Sequence, residues 1–301
     1  MFNQIMTIMK NKFGFFKVLL GALLLGGMML SSCSDDESDG GNDGKIDPNT
    51  IATANLIAYF PFETLDEEVE YSNNTITFSD DVGAATLVTG RRGNAYKGST
   101  NEAYFEYDVA SGTALKTLDE LTMACWIKTP RTTSGAAKIF TINGGDVFMG
   151  ALSLMQESQA TGDSVDMKFY LYDSESPEWK GQDIRNQSSK FVNDLWYHIA
   201  AVYNKTTSTM EFYANGSLVF SQNKWAGPES GGSQPPLGPI KLGQDMTKIH
   251  FGAWTQQIAG TPESWMTYYQ GLVDEFRIYS KALSATEIQD LYEAEVTQIN
   301  P

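Results

Sequence analysis

Gly271-Leu272-Val273-Asp274-Glu275-Phe276-Arg277-Ile278-Tyr279, followed by Ala282-Leu283-Ser284-Ala285-Thr286-Glu287-Ile288, is the stretch on which the fold turns. Its first part reads as a β-strand. A two-residue period puts Leu272, Asp274, Phe276 and Ile278 on one face, and Val273, Glu275, Arg277 and Tyr279 on the other. An acid therefore falls among apolar positions, and a buried acid must be hydrogen-bonded, paired or bound to a metal. The second part begins a helix. Ser284 is placed to cap it, and Glu287 three residues on completes a capping box. Ile288 and Leu291 give that helix one apolar stripe.

Working back along the chain, short strand-like runs alternate with Gly/Asn/Asp/Ser turns from residue 51 onward. Strands are expected at residues 55–60, 103–107, 121–128, 167–172, 196–203, 208–214 and 217–220. Asn215-Gly216 lies between the last two, and Asn-Gly between strands is a strong hairpin signal because both turn positions need positive φ. Residues 224–239 and 244–269 read as long irregular segments, and the second is too aromatic for a disordered one. No fixed-period repeat appears, which disfavours solenoids and propellers. Gly 27, Tyr 14, Phe 16 and Trp 6 in 301 residues also favour strands and turns over a helical bundle.

The amino-terminal end has a different character. Lys10, Lys12 and Lys17 precede an apolar run over residues 18–30, too short for a comfortable membrane-spanning helix, and Ser31-Ser32 lead to Cys33. Residues 1–32 are expected to be a secretion signal. Leu30-Ser31-Ser32-Cys33 resembles the bacterial lipobox, which implies acylation of Cys33 and cleavage before it. Residues 33–50 are expected to be an acidic flexible tether, since Ser34 to Gly44 carries no apolar side chain. The acidic cluster after the cysteine resembles the surface-export signal of Bacteroidota lipoproteins. That implies an outer-membrane, surface-exposed location, with a periplasm-facing one as the alternative. Membrane contact is expected only through the lipid.

Removing three lysines and no acids takes the net charge from −16 to −19. Such a chain repels nucleic acid, so no nucleic-acid partner is expected. With Cys33 lipidated, Cys125 has no partner for an intramolecular disulfide, and its strand-like surroundings read as a buried thiol.

Several runs in this order resemble the laminin-G-like/concanavalin A-like lectin and glucanase superfamily. They are Asn55 to Phe62, Leu121 to Lys128 with Trp126, Trp196 to Tyr203 with Glu211 to Gly216, Ile240-Lys241-Leu242-Gly243, and the closing strand and helix. The resemblance covers about residues 51–293. It implies an all-β fold, a two-sheet antiparallel jelly-roll sandwich with one short C-terminal helix. The domain is expected over residues 51–296, with a tail at 297–301. It also implies saccharide or protein ligands, and in glucanase relatives a structural calcium. Asp274, Glu63 and the Gly98 carbonyl are the matching candidates, oxygen donors of the kind Ca²⁺ prefers. The alternative for Asp274 is hydrogen bonding to backbone amides of the first strand.

Glucanases of this fold carry Glu-x-Asp-x-(x)-Glu on one strand, because two carboxyl groups must flank the scissile bond. Glu106-Tyr107-Asp108 begins the pattern, but Val109-Ala110-Ser111 supplies no second glutamate. A solvated strand face explains Glu106 and Asp108, and no catalytic residue is assigned. His198 and His250 are too few for an ordinary zinc site. No Gly-x-Ser-x-Gly elbow or phosphate-binding glycine loop appears. Saccharide contacts are expected from Trp179, Trp225, Trp254, Trp265 and Tyr268 in loop-like stretches, with Asp245, Gln256 and Gln257 as polar partners. Trp126 and Trp196 read as core. The expectation is a non-enzymatic glycan-binding module for polysaccharide capture. A protein-binding or adhesion module and a divergent glycoside hydrolase are the alternatives.

Overall fold

The computed structural model describes residues 46–298 apart from 67, 147, 159–161, 177–179, 187–190 and 228–233. The expected signal segment, Cys33 and the loop residue Trp179 therefore lie outside the described residues. Two eight-stranded sheets form the domain. The first runs β13 (Ser217–Asn223), β12 (Thr209–Ala214), β11 (Trp196–Asn204), β6 (Leu121–Lys128), β16 (Leu272–Tyr279), β4 (Asn94–Lys97), β3 (Thr86–Thr89), with β1 (Leu56–Phe60) also on β16. The second runs β10 (Gly181–Asn186), β9 (Asp166–Tyr172), β8 (Gly150–Glu157), β7 (Ala136–Asp146), β14 (Lys248–Phe251), β5 (Ala103–Val109), β2 (Ile76–Gly83), with β15 (Met266–Thr267) on β7. All pairings are antiparallel except the two-residue β15–β7 contact. This is the expected jelly-roll sandwich.

Alternation along each strand sends one set of side chains between the sheets. There Phe251 packs with Phe60, Phe62, Phe140 and Phe276, centroids 5.0–5.2 Å away. Rings of this size dominate core energetics, and truncating one costs about 3–5 kcal/mol. The Asn215-Gly216 hairpin forms as expected, with φ of 47° and 77°. Cys125 is buried and free. By contrast, Ile240-Lys241-Leu242-Gly243 makes no strand, and residues 244–269 are less irregular than expected, since β14 and β15 arise within them.

The helix α2 (Ala285–Val296) starts at the expected capping box. The Glu287 amide donates to Ser284 Oγ at 3.2 Å, and the Ser284 amide to Glu287 Oε2 at 2.8 Å. Ile288 and Leu291 pack on Leu56, Ala124, Ala200, Val202, Tyr213 and Tyr279, the outer face of the first sheet.

β16 departs from the strict two-residue period. Its register shifts between Asp274 and Arg277, and Glu275 sits at φ 53°. This is a β-bulge, which puts two residues against one and changes which side chains face inward. Val273, Phe276 and Ile278 enter the core, while Asp274 and Arg277 face outward under α2 with Tyr279. The expected grouping of Asp274 with Phe276 and Ile278 is thereby corrected. The bulge also divides one edge of β16: β4 pairs with Leu272 and Val273, and β1 with Phe276 to Tyr279.

Arg277 is the centre of a buried polar cluster beneath α2. Its Nε and Nη2 donate to Asn49 Oδ1 at 3.2 and 2.9 Å, Nη2 to Glu275 Oε2 at 2.8 Å, and Nη1 to the Glu275 carbonyl at 3.2 Å and to Glu295. All five guanidinium N–H groups are used. Its other side lies 4.0 Å from the Tyr59 ring centroid. Glu295, from α2, also accepts from Trp126 Nε1 at 2.7 Å. Trp126 is thus buried as expected, but on the outer face of the sheet. His198, fully buried beside Trp126, is held neutral, its pKa pushed down to about 3 by burial and by Arg277. Pro48 is buried, Asn49 bonds Arg277, and Gln298 bonds Arg92 at 2.6 Å and the Ile46 carbonyl at 3.0 Å. Both flanks of the domain, at Asn49 and at Gln298, thus fasten to this cluster.

Asp274 Oδ2 accepts the Arg91 and Arg92 amides at 2.7 and 2.9 Å, while Oδ1 is buried without a partner. Burial, and then the Glu275 charge, push its pKa up to about 8, against the pull of the two amides.

Two outcomes follow. Arg277→Met leaves Glu275 and Glu295 buried with the cluster's central cation gone, and lowers unfolding free energy by about 3–5 kcal/mol. Adding Glu295→Leu recovers part of that loss in urea titrations. The raised folded pKa of Asp274 makes its contribution full below about pH 4, falling through the interval to pH 8 and level above it. Asp274→Asn stays uncharged, so its urea midpoint declines less than wild type between pH 5 and pH 8. Equal slopes would mean that Asp274 is ionised across that range.

Candidate functional site

The outer face of the second sheet carries a polar row that the strand registers fix. Asp183 opposes Tyr170, Tyr170 opposes Ser153, Ser153 opposes Thr141, Thr141 opposes His250, His250 opposes Glu106, and Glu106 opposes Asp80. Directly opposed residues share a face, so these seven side chains cross the whole sheet. Ser153, Thr141 and His250, at its middle, are buried, whereas Asp183 and Asp80 at its ends are exposed.

Two segments lie over the β7–β8 part of this face: the tip of the β7–β8 hairpin and residues 254–266. Lys138 Nζ donates to the Met149 carbonyl at 2.8 Å and to Ser153 Oγ at 2.7 Å. It also sits 4.5 Å from the Trp254 ring centroid. Burial, with the nearby Lys168 charge, pushes this ammonium well below lysine's ordinary range. Trp254 is fully buried and donates from Nε1 to the Ala136 carbonyl at 2.9 Å. Trp265 stands edge-on to it at 5.1 Å and lies 5.5 Å from Phe148. Trp265 and Phe148 are each 39% exposed. Asp146 holds the hairpin tip, accepting the Phe148 and Met149 amides at 2.7 Å each. A buried lysine and indole thus support two open aromatic rings.

The other flank is charged. Glu106 accepts from Lys248 and lies 3.0 Å from His250 Nε2, and Lys248 reaches Asp108 at 2.8 Å. Phe105 and Tyr107 point into the core, so Glu106 and Asp108 face outward as expected. Burial alone would raise the Glu106 pKa, but its bonds to Lys248 and His250 outweigh that and lower it. A glycosidic general acid needs the opposite shift.

The expected aromatic residues divide. Trp254 and Trp265 come together, although Trp254 is floor rather than contact surface. Tyr268 is half-buried on the Tyr104 flank. Trp225 stands apart: its backbone bridges to Pro236 and its carbonyl takes Gln182 Nε2 of β10, three strands from β7. Trp196, expected in the core, is half-buried on the outer face of the first sheet. Asp245 accepts the Gly145 amide at 2.8 Å, and the Gln257 side chain caps α1 (Thr255–Ile258) through the Trp254 amide at 3.0 Å. Phe148 and Lys138 were missed. Phe148 had a signal, an aromatic in a short tip between Gly144-Gly145 and Gly150. Lys138 had none, because one lysine in a strand reads as solvated.

The calcium candidates divide. Glu63 and Asp274 both reach the turn before β4, where Glu63 Oε2 accepts the Asn94 amide at 3.1 Å and Asp274 takes two amides. Those amides belong to this turn, not to the first strand. Gly98 pairs with Gly271 instead, three residues along β16 from Asp274, about 10 Å at strand spacing. Among the described residues no group of three or more His, Cys, Asp or Glu is placed to hold a metal.

No curated protein matches the chain. Among solved structures, the binding domain of Paraclostridial Mosquitocidal Protein 1 superposes with a TM-score of 0.57 at 17% identity, covering 80% of this chain and 52% of that one. The botulinum neurotoxin serotype D ligand binding domain in complex with N-acetylneuraminic acid gives 0.55 at 16%, covering 82% and 52%. The binding domain of botulinum neurotoxin DC in complex with rat synaptotagmin II gives 0.54 at 13%, covering 81% and 52%. The chain thus spans about half the length of these neighbours, which share its fold and are binding rather than catalytic domains. A family profile described as the concanavalin A-like lectin/glucanases superfamily (Laminin_G_3) matches residues 99–289. With its two antiparallel sheets and a match over more than half its length, the chain belongs to that superfamily.

Proposed function

We propose that this chain is a non-catalytic saccharide-binding module of a lipid-anchored cell-surface protein, and that Trp265 and Phe148 are its stacking surface. The observation that carries the reading is the pair of open rings held on a buried Lys138–Trp254 support. An aromatic face stacks on the C–H face of a pyranose, and fixed polar groups beside it bond the hydroxyls. Tyr170, which hydrogen-bonds Asp146, and the hairpin-tip backbone supply polar groups on the same face. The Glu106 shift and the missing second glutamate both count against hydrolysis. A neighbour of the same fold holds N-acetylneuraminic acid, which lends the saccharide reading weight without fixing a sugar. The anchor rests on Cys33 and the segment before it.

On a glycan array, the protein is expected to bind a defined saccharide set, with and without Ca²⁺. Trp265→Ala and Phe148→Ala should each weaken that binding by about 2 kcal/mol, roughly thirtyfold, at unchanged thermal midpoint. An array blank in both arms removes the saccharide reading and leaves protein adhesion in its place. Independently, Cys33→Ala abolishes labelling by radioactive palmitate in a bacterial host. Protease treatment of intact cells then removes wild-type protein if it is surface-displayed.

A further inference from the structure

A second feature lies on the opposite sheet. At one end of the first sheet, the register sets Lys97, Leu272, Lys128 and Trp196 in one cross-strand row over β4, β16, β6 and β11. Their neighbours Tyr96, Val273 and Ile127 point into the core, so this row faces outward. Lys97 and Lys128 flank an open cleft of about 360 Å³ whose lining also includes Asp194, Gln270, Gly271 and Leu272.

The backbone beside the cleft is closely packed. The Gly98 amide donates to the Gly271 carbonyl at 3.1 Å. A Cβ on Gly98 would fall 1.8 Å from the Tyr269 carbonyl oxygen, and one on Gly271 would fall 2.3 Å from the Tyr269 hydroxyl. The two glycines thus keep this end of the row open and closely packed beneath.

The charges are the informative part. The chain carries 37 acids against 21 lysines and arginines. Lys168, Lys205, Lys241, Lys248 and Lys281 each sit on a carboxylate. Among the described residues, Lys97 and Lys128 form no ion pair, though they line one cleft. With Asp194 as the one carboxylate of the lining, the two ammoniums leave the cleft net positive in an otherwise acidic chain, which favours an anionic ligand. Their Cα atoms are two strand spacings apart, about 10 Å, wider than a single small anion spans. Asp194 and Gln270, exposed on the rim, supply an acceptor and an amide for hydroxyl groups. Leu272 between the lysines, and Trp196 beside Lys128, offer apolar surface to a ring.

We infer that this cleft is a second binding site, for a polysaccharide bearing repeated anionic groups, with Lys97 and Lys128 each taking one charge. The anionic group is a carboxylate or a sulfate ester. The site is separate from the Trp265–Phe148 surface, which lies on the other sheet.

The test is calorimetric titration of the full chain with three probes: oligogalacturonate, a chondroitin sulfate oligosaccharide and a neutral galactan oligosaccharide. At 20 mM NaCl at least one acidic probe binds, and binding weakens at 200 mM NaCl as screening requires. The acidic probe that binds more tightly identifies carboxylate or sulfate. Lys97→Gln and Lys128→Gln each weaken that binding at least tenfold, Lys→Arg at either site restores it, and Trp265→Ala leaves it within twofold. The neutral probe is unaffected by the lysine changes. The inference is overturned if neither acidic probe binds, if both glutamine variants bind as wild type does, or if Trp265→Ala abolishes acidic binding. The last result would move that binding to the other sheet, whereas a blank with acidic probes leaves the Trp265 surface to its own array test.

Discussion

Arg277 is the group on which the rest of the molecule depends. Its guanidinium is removed from water, and every N–H it owns is bonded within the protein. The partners come from distant parts of the chain: Asn49 before the first strand, Glu275 beside it, and Glu295 in the last helix. Desolvating a charge is expensive, and the cost is offset only when geometry and partners are complete. The cluster therefore acts as a condition on assembly. The amino-terminal turn, β16 and α2 must all be in place before any of them is satisfied.

The same constraint explains why the outer face of the first sheet is closed and that of the second is open. The middle of the first face is spent on α2 and the charged cluster beneath it, while its end around Leu272 stays accessible. Among the described residues the second carries no long helix, only the four-residue α1. Its polar row is covered in part by a hairpin tip and an irregular segment, and these present aromatic rings instead of sealing them. In a sandwich, where each sheet has one face for the core, the second face is where function has room.

Much of the architecture was legible in the sequence because strand period, Asn-Gly turns and a capping box are local signals. Residues 121–128 and Leu272 to Tyr279 were placed to the residue, and Ser284 with Glu287 fixed the helix start. What was not legible depended on departures from local rules. The bulge at Asp274 and Glu275 reverses the alternation, and no glycine marks it, since Glu275 itself adopts the left-handed conformation. The central strands β7 and β8 were overlooked; glycines at 144, 145 and 150 interrupt their pattern. The site was legible only in part. Trp265 carried a signal, exposed aromatic character in a long connection. Trp254 carried the same signal, though as a contact and not a floor, and Lys138 carried none, because the two meet through tertiary packing that sequence spacing cannot show.

The bulge in β16 has one more effect. By giving half of that strand's edge to β1, it brings the chain's entry and exit to the same corner, where the Gln298 side chain bonds the Ile46 carbonyl. Entry and exit both lie on the α2 side, behind the sheet that displays Trp265 and Phe148. A force applied at residue 46 would therefore reach the arginine cluster, through Asn49 and Gln298, and not Trp265 and Phe148.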